Sequence, residues 1–439
     1  MAISTGTYPC HRTFASDKNG YYKGDSANLP SLTNVADILA KVEDGGRITY
    51  DEAMLLYQEA DLLQLGRAAN ARRQQLVPGN TVTYLIDRNI NYTNVCSTDC
   101  TFCAFYRYDP NDPEAYVNPK SVIGKKIEET LYLGGTRILM QGGHNDQLPW
   151  DYYLDLINWI HTTYPDIEIN AFSPSEIDQM VKVSGLTRYE VLKALKEAGL
   201  QGLPGGGGEI LDDEIRKRVS PKKQRTDGWL DVMHHAHSLG LTTTATMVIG
   251  FREEIRHRLN HLQRLRDLQD ASLRDYGTGF NAFISWTVQI ENTPLERSRF
   301  ADQYGATPHE YLRHTAIARI FLDNIPHHQA SWPTQGEKVA AIALHMGCDD
   351  FGSTMIEENV VSAAGARTSV QPSMSVPEIH RQIREAGFIP AQRNTSYEIV
   401  RQYTADPAED EALLPPAELP GEPTGNLTNS IRLSVINNN

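Results

Sequence analysis

The sequence predicts an α/β protein built on a (β/α)8 barrel of the TIM type. From residue 80 onward, short apolar segments alternate with amphipathic helical stretches, the pattern of a parallel sheet with crossover helices. Eight such units fit into about 275 residues, the usual extent of this barrel. With 439 residues and 40% hydrophobic content, the chain can bury a core of barrel size. A doubly wound open sheet is the alternative, because the pattern alone does not reveal closure.

Two segments precede the barrel. Residues 1–30 are polar and rich in Gly, Ser, Asn and Lys, which predicts a flexible N-terminus. For residues 31–79 the sequence predicts a small helical cover. Apolar residues follow helical spacing from Val35 to Val42, and the pattern stops at Gly45. Thr49 and Glu52 then have the spacing of a capping box, which opens a longer helical stretch to about residue 76.

The barrel itself is predicted over residues 80–400. Its eight candidate strands are residues 81–87, 136–141, 166–172, 200–204, 241–250, 279–288, 327–332 and 349–355. In such a barrel the active site lies at the carboxyl ends of the strands. Residues 405–439 are rich in Pro and Glu, and we expect them to form a disordered acidic tail.

Composition narrows the possible partners and location. The formal net charge is −14 and basic residues form no concentrated footprint for phosphates, so we expect no nucleic-acid partner. No run of about 18 apolar residues occurs, and the N-terminus lacks the basic and then apolar order of a secretory signal. These features predict a cytoplasmic protein without a membrane partner.

Three of the five cysteines follow the first strand with the spacing Cys-x3-Cys-x2-Cys: Cys96, Cys100 and Cys103. Thiolates suit iron, and a cubane cluster held by three cysteines leaves its fourth iron open to a substrate. A structural zinc site usually has a second cysteine pair, which this chain lacks, and an electron-transfer cluster ordinarily needs a fourth cysteine. Cys10 and Cys348 are expected to be incidental or core residues.

This cysteine motif, with an aromatic residue before its last cysteine and a barrel behind it, resembles the radical S-adenosylmethionine (SAM) superfamily. The resemblance implies one 4Fe-4S cluster on the three cysteines, whose open iron binds the amino and carboxylate groups of SAM. It also implies that Phe102 packs beside the adenine and that Gly142 and Gly143 let the backbone approach the methionine amino group. Glycine suits close approach because it has no Cβ. An ordinary strand-to-helix turn is the other interpretation of the glycine pair.

Further segments resemble the cyclic dehypoxanthinyl futalosine synthase family of menaquinone biosynthesis, among them NINYTNVC, ILMQGGHN, AFSPSEI, LPGGGGEIL, RVSPKK and GSTMIEENVVSAAG. The resemblance implies that a 5'-deoxyadenosyl radical abstracts a ribose hydrogen from dehypoxanthine futalosine. The sugar radical then adds to the aromatic ring, and loss of an electron and a proton gives a spirocyclic product. A reductant such as flavodoxin or ferredoxin is implied as a partner. Aminofutalosine synthase and the deazaflavin-forming synthase are related alternatives, and a non-enzymatic iron-sulfur or zinc module is the alternative from another class.

Candidate residues for the remaining roles come from the predicted loops. By the resemblance, Glu209 contacts the SAM ribose or amino group, since a carboxylate accepts from both. His144 and Asn145 could bind the substrate sugar, and Arg107 or Arg88 could pair with a substrate carboxylate. For the base that takes the final proton, the candidates are His144, Glu253 and Glu291, among which the sequence does not choose.

Overall fold

The computed structural model describes residues 34–366, 373–417 and 419. The predicted flexible segment 1–30 and most of the predicted tail lie outside the described residues. Among the described helices, none combines the length and the apolar character needed to cross a membrane.

The predicted N-terminal cover consists of three helices: α1 (Val35–Glu43), α2 (Tyr50–Glu59) and α3 (Leu62–Leu76). The predicted capping box is present, because Thr49 Oγ1 accepts the Glu52 N–H at 3.2 Å and the Thr49 N–H donates to the Glu52 carboxylate at 2.7 Å. These helices pack on two barrel helices, Ile255–Tyr276 and Pro308–Phe321. The cover therefore lies against the outer wall of the barrel.

All eight predicted strands are present and run parallel. They are β1 (Thr81–Leu85) with its continuation β2 (Asp87–Ile90), β3 (Arg137–Met140), β4 (Glu168–Ala171), β5 (Gly202–Leu203), β6 (Thr242–Ile249), β7 (Phe280–Thr287), β8 (His327–Gln329) and β9 (Asp350–Ser353). The sheet curls, and the predicted barrel fold is confirmed.

The first predicted strand closes the ring because it is split at Ile86. Its first half, β1, pairs with β9, whereas its second half, β2, pairs with β3. The Asn89 N–H also donates to the carbonyl of Ile356 beyond β9, at 2.8 Å. The strand that precedes the cysteine loop is therefore hydrogen-bonded to neighbours from both the early and the late part of the barrel sequence.

Helices surround the sheet, and several loops carry more than one. They are α4 (Lys120–Tyr132), α5 (Trp150–Thr163), α6 (Pro174–Ser184), α7 (Arg188–Glu197), α8 (Asp213–Val219), α9 (Thr226–Ser238), α10 (Ile255–Tyr276), α11 (Pro308–Phe321), α12 (Trp332–Gln335), α13 (Glu337–Leu344), α14 (Val360–Ala363) and α15 (Val376–Glu385), with a 3-10 turn at Ala301–Gln303. Local signals set their ends: Thr187 and Glu190 form a capping box before α7, and Gly277 at φ +70° ends α10.

Two further strands, which the sequence patterns did not predict, extend the sheet: β10 (Ile389–Arg393) and β11 (Ile399–Gln402). β10 pairs in parallel with β1, and β11 pairs antiparallel with β10. The turn between them crosses the amino-terminal end of the barrel. There the Thr395 N–H donates to Glu168 at the start of β4 at 3.0 Å, and the Tyr397 ring stacks 3.7 Å from His327 at the start of β8.

We call residues 393–398 the plug, because β4 and β8 stand on opposite sides of the ring and this segment spans the gap. Its arginine is buried: Arg393 donates to the Asp350 carboxylate at 2.5 and 3.1 Å, and both side chains are almost fully covered. Thr83 Oγ1 donates to the same carboxylate at 2.6 Å. The plug fills the amino-terminal end of the barrel, which leaves the carboxyl end of the strands for a site.

The first residues of the predicted disordered tail are packed. They form α16 (Pro407–Asp410) and a 3-10 turn at Glu411–Leu413. The buried Asp410 pairs with Arg384 of α15 and accepts the Thr404 N–H at 3.0 Å. The prediction of disorder is therefore wrong for residues 405–417, because a buried ion pair fixes them to the barrel wall. Apart from Leu419, the rest of the tail lies outside the described residues.

Candidate active site

A cavity of about 250 Å³ opens at the carboxyl ends of the strands, where the barrel fold leads us to expect a site. The predicted residues that line it are Cys96, Cys100, Cys103, Phe102, Gly142, Gly143, His144 and Glu209. The fold thus brings together residues from the loops after β2, β3 and β5. The predicted residues that lie elsewhere are Asn145, Arg107, Arg88, Glu253 and Glu291.

The cysteine loop is fixed at both ends by backbone hydrogen bonds. The Cys96 N–H donates to the Arg107 carbonyl at 2.9 Å, and the Arg107 N–H donates to the Asn94 carbonyl at 2.8 Å. In the middle of the loop, the Thr101 N–H donates to the Val219 carbonyl at 2.9 Å. The positions of the three sulfurs therefore depend on backbone geometry.

The three thiols converge on the cavity wall. Thr98 Oγ1 lies 3.0 Å from Sγ of Cys96 and 3.7 Å from Sγ of Cys100. Burial raises the pKa of the Cys100 thiol to about 11 and also raises that of Cys103. Because a metal ligand must be the thiolate, iron binding here displaces protons and strengthens as the pH rises.

The donor set fits a cluster with one open position. Among residues 34–366 and 373–417, the remaining cysteine is Cys348, which is buried just before β9 at the opposite end of the barrel. Cys10 lies outside the described residues. Three thiols without a fourth nearby, facing a cavity rather than solvent, are the arrangement that a cubane with a ligand-binding iron needs.

The glycine pair after β3 has a packing role that the sequence did not reveal. A Cβ on Gly143 would lie 2.1 Å from the Val95 carbonyl oxygen, and one on Gly142 would lie 2.6 Å from the Tyr92 ring. Only glycine lets this loop pack against the cysteine loop. Both residues also line the cavity, so the predicted approach to SAM stays compatible with their positions.

Phe102 forms part of an aromatic wall. Its ring centroid lies 5.2 Å from that of Phe251, and Lys223 Nζ lies 5.7 Å from the Phe102 centroid. A flat apolar surface with a cation at one side is suited to a planar ring that carries polar groups.

Glu209 is buried rather than solvated, with 4% of its surface exposed. Its carboxylate accepts from Lys223 Nζ at 2.9 Å and from the Arg216 guanidinium at 3.3 Å. Burial alone would raise the pKa of Glu209, but the charges of Lys223 and Arg216 outweigh it and hold the pKa below its usual value. A permanent carboxylate therefore faces the cavity.

Glu176 is a site residue that the sequence analysis did not identify. It lines the cavity, and its Oε1 accepts the Gly142 N–H at 2.9 Å and the Tyr92 hydroxyl at 2.8 Å. Burial raises the pKa of Glu176 to about 7. The available signal was the carboxylate in the first turn after a strand, but Ser173-x-x-Glu176 also has capping-box spacing. Ser173 does cap α6, while the Glu176 carboxyl turns to the glycine pair.

His144 is a neutral side chain on the cavity wall. Burial, with smaller contributions from Lys223 and Lys182, lowers its pKa to about 3. Its Nδ1 has no hydrogen-bond partner among the described residues. Asn145 next to it turns away, since its Oδ1 accepts the Gln147 N–H at 2.9 Å. Of the predicted sugar-binding pair, only His144 lines the cavity.

The remaining predicted residues have partners of their own. Arg107 pairs with Glu114, Arg88 pairs with Glu129 and Glu357, and Glu253 accepts from the Gly250 N–H and pairs with Arg258. Glu291 is exposed beside Gly365. These contacts position the loops around the site, and none of the four side chains faces the cavity.

Comparison with known proteins identifies the family of this chain. Residues 90–265 match the radical SAM superfamily, and residues 277–405 match the CofH/MqnC C-terminal region. The chain is 47% identical to the cyclic dehypoxanthine futalosine synthase of Halalkalibacterium halodurans over 84% of this chain and 96% of that one. It is 41% identical to the synthase of the same name from Streptomyces coelicolor, over 86% and 92%.

The fold is also similar to that of methylornithine synthase (PylB), with a TM-score of 0.62 and 18% identity over 81% of this chain and 97% of that one. The radical SAM family uses a 4Fe-4S cluster and SAM, and Cys96, Cys100 and Cys103 fit its Cys-x3-Cys-x2-Cys motif. By its family match, its near full-length relatives and its cysteine-lined cavity, this chain belongs to the radical SAM superfamily.

Proposed function

We propose that this chain cyclises dehypoxanthine futalosine to cyclic dehypoxanthinyl futalosine, a step of the futalosine route to menaquinone. The observation that carries the proposal is the 47% identity, over 96% of its length, to a relative with this activity in its name. A cavity of about 250 Å³ beside three cysteines supports it, because a small molecule has to be held next to the site of radical formation.

In the proposed reaction, the cluster and SAM together supply the carbon-centred radical that takes one hydrogen atom from the substrate ribose. The protein holds the cluster through Cys96, Cys100 and Cys103. Thr98 sits between two of the sulfurs and supports them by hydrogen bonding. A substrate that fills the cavity would keep competing hydrogen donors and water away from the radical.

SAM is held, in this proposal, by the charged and aromatic groups on one wall. The Glu209 carboxylate accepts from a ribose hydroxyl or an ammonium group, and Lys223 pairs with a carboxylate. Glu209 is buried, Lys223 is partly buried, and the two already pair with each other at 2.9 Å, so they need little reorganisation when the ligand binds. Phe102 packs on the adenine, and the Gly142 and Gly143 backbone faces the methionine part.

Glu176 is the group best suited to accept the final proton. Ring addition must be followed by loss of one proton to a base and one electron to an acceptor, so that the product has two hydrogens fewer. That electron would go to the bound cluster, which SAM cleavage leaves oxidised. A base with a pKa of about 7 is matched to this task near neutral pH. His144, with a pKa of about 3, is a weaker base, and we assign it to hydrogen bonding with the substrate sugar.

The test combines anaerobic reconstitution with iron and sulfide, reduction by dithionite, and mass spectrometry with SAM and dehypoxanthine futalosine. The expected result is 5'-deoxyadenosine together with a product lighter than the substrate by two hydrogens. Deoxyadenosine without this product would refute the substrate and favour a sibling reaction such as that of aminofutalosine synthase. Absence of both, with iron bound, would favour a non-enzymatic cluster. In the cell we propose a small one-electron carrier, flavodoxin or ferredoxin, as the reductant.

A further inference from the structure

The surface next to the cysteine loop carries a small local group of positive charges. Residues 216–225 contain six Lys or Arg and no Asp or Glu, in a chain whose formal net charge is −14. Two of the six, Arg216 and Lys223, turn inward and pair with Glu209. Arg218 and Lys222 are exposed. The segment therefore forms a wall of the site on its inner side and a basic surface on its outer side.

This segment touches the peptide that joins two of the cysteines. Thr101 lies between Cys100 and Cys103 and is partly exposed. Its N–H and its Oγ1 both donate to the Val219 carbonyl, at 2.9 and 3.1 Å. On the other side, the Leu295 N–H donates to the Thr101 carbonyl at 3.3 Å. The cluster-binding loop thus reaches the surface at Thr101, between the 216–225 segment and the loop that follows β7.

Arginines from two other loops join this surface. Arg218 donates to the Phe251 carbonyl at 2.6 Å. The next residue, Arg252, holds its guanidinium 3.8 Å over the Phe300 ring, and that of Arg299 lies 4.5 Å from the same ring. Three loops around Thr101 therefore present cations side by side. We define the basic face as Arg218, Lys222, Arg252 and Arg299.

The opposite side of the cysteine loop is acidic. Residues 109–114 carry Asp109, Asp112 and Glu114 and no basic residue, and Asp109 and Glu114 are exposed. Lys222 marks the border, since its Nζ lies 5.2 Å from the ring of Tyr108 and 3.7 Å from Asp99. The surface around the cysteine loop is therefore positive on one side and negative on the other. The resulting electric field can orient a charged partner protein.

We propose that the basic face is the docking site of a small acidic protein that delivers single electrons to the cluster, an inference that rests on the proposed function. The net charge of −14 repels an acidic carrier from the molecule as a whole, so the local cations select this face and place the carrier over Thr101. Electron-transfer complexes bury little surface and dissociate quickly. A few charged residues around a small contact area are enough for such a complex.

The test compares two reductants on the same reconstituted enzyme. We expect Lys222→Glu with Arg299→Glu to raise the concentration of reduced flavodoxin that gives half-maximal 5'-deoxyadenosine formation by about ten-fold or more. The rate with dithionite should stay at the wild-type value, which also shows that the variant is folded and holds its cluster. Binding of oxidised flavodoxin, which needs no turnover, should weaken by a similar factor.

The control carries the same charge change elsewhere: Lys193→Glu on α7 with Arg381→Glu on α15, both about half exposed in the wild type. It should leave flavodoxin binding and half-saturation unchanged. Equal losses in the control and the test variant, or unchanged flavodoxin binding in the test variant, would overturn the proposal. If dithionite yields no deoxyadenosine from the wild type, the proposed function fails, and flavodoxin binding alone still decides whether the face is a docking site.

Discussion

Replacing the buried carboxyl of Glu176 by an amide should make the protein more stable and less active. Burial raises the pKa of Glu176 from 4.5 to about 7, which corresponds to roughly 3 kcal/mol. At low pH the carboxyl is protonated in both the folded and the unfolded chain, and burial of the neutral group costs little. As the pH rises from 4.5 to 7, only the unfolded chain loses its proton, so the stability of the wild type falls.

Glu176→Gln stays neutral throughout, and its amide oxygen can still accept the Gly142 N–H and the Tyr92 hydroxyl. The variant should therefore exceed the wild type by roughly 3 kcal/mol at pH 8 and by less than roughly 1 kcal/mol at pH 5. Product formation should fall by about 10²-fold or more, because the proton acceptor is lost. In the wild type, the rate should rise with pH through about 7 as Glu176 ionises.

The assay is anaerobic unfolding of the reconstituted protein at both pH values, combined with product formation. Glu197→Gln on α7, where the wild-type side chain is 68% exposed, is the control and should change neither quantity. Equal stability of the wild type and Glu176→Gln at pH 8 would refute the buried, proton-retaining carboxyl. Full product formation by Glu176→Gln would refute its role as the base.

Three other predictions concern the cysteines and the packing around them. Alanine at Cys96, Cys100 or Cys103 should abolish the 4Fe-4S absorbance and turnover, whereas Cys348→Ala should keep its iron; iron loss from Cys348→Ala would mean that a ligand has been misassigned. Gly143→Ala should lose most of its iron, because the added Cβ would lie 2.1 Å from the Val95 carbonyl oxygen; normal iron content by metal analysis would contradict this packing. Arg393→Leu should lower the free energy of unfolding by roughly 3–5 kcal/mol, because Asp350 stays buried without its cation. Adding Asp350→Asn should recover part of that loss, and an unfolding curve for Arg393→Leu like that of the wild type would exclude a structural role of the pair.

The sequence predicted the barrel well because its signals are local. Most of the eight strands lie in apolar runs bounded by a helix or a turn, whereas β8 (His327–Gln329) is polar. β10 escaped prediction because Pro390 interrupts its run, and proline cannot donate to a strand ladder. Pro390 is nevertheless a strand residue in the structure, and the register places it opposite Val82 of β1. The packing of residues 405–417 was missed because it depends on an ion pair between Asp410 and Arg384, 26 residues apart.

The site was predictable where a short motif marks it or where the family resemblance supplies a residue, as for His144 and Glu209. The three cysteines lie within eight residues, Gly142 and Gly143 are consecutive, and the two motifs meet at the cavity. Glu176 and Lys223 were missed because their environments are formed by distant loops: one resembles a helix cap in sequence and the other a surface lysine. Arg107 shows the opposite error. The sequence suggested a contact with a substrate carboxylate, but its side chain pairs with Glu114 instead of facing the cavity.

The split strand and the plug make the cysteine site dependent on the whole chain. The matching segment 90–265 contains all three cysteines, but it ends before β7, β8 and β9. During synthesis, the strand ahead of the cysteine loop gains its second neighbour only when residue 356 has appeared, and Asp350 gains its cation only with Arg393. The three cysteines therefore leave the ribosome long before β9 and the plug have been synthesised. An enzyme truncated near residue 380 would possess every cluster ligand and still lack β10 and the plug at the amino-terminal end of the barrel.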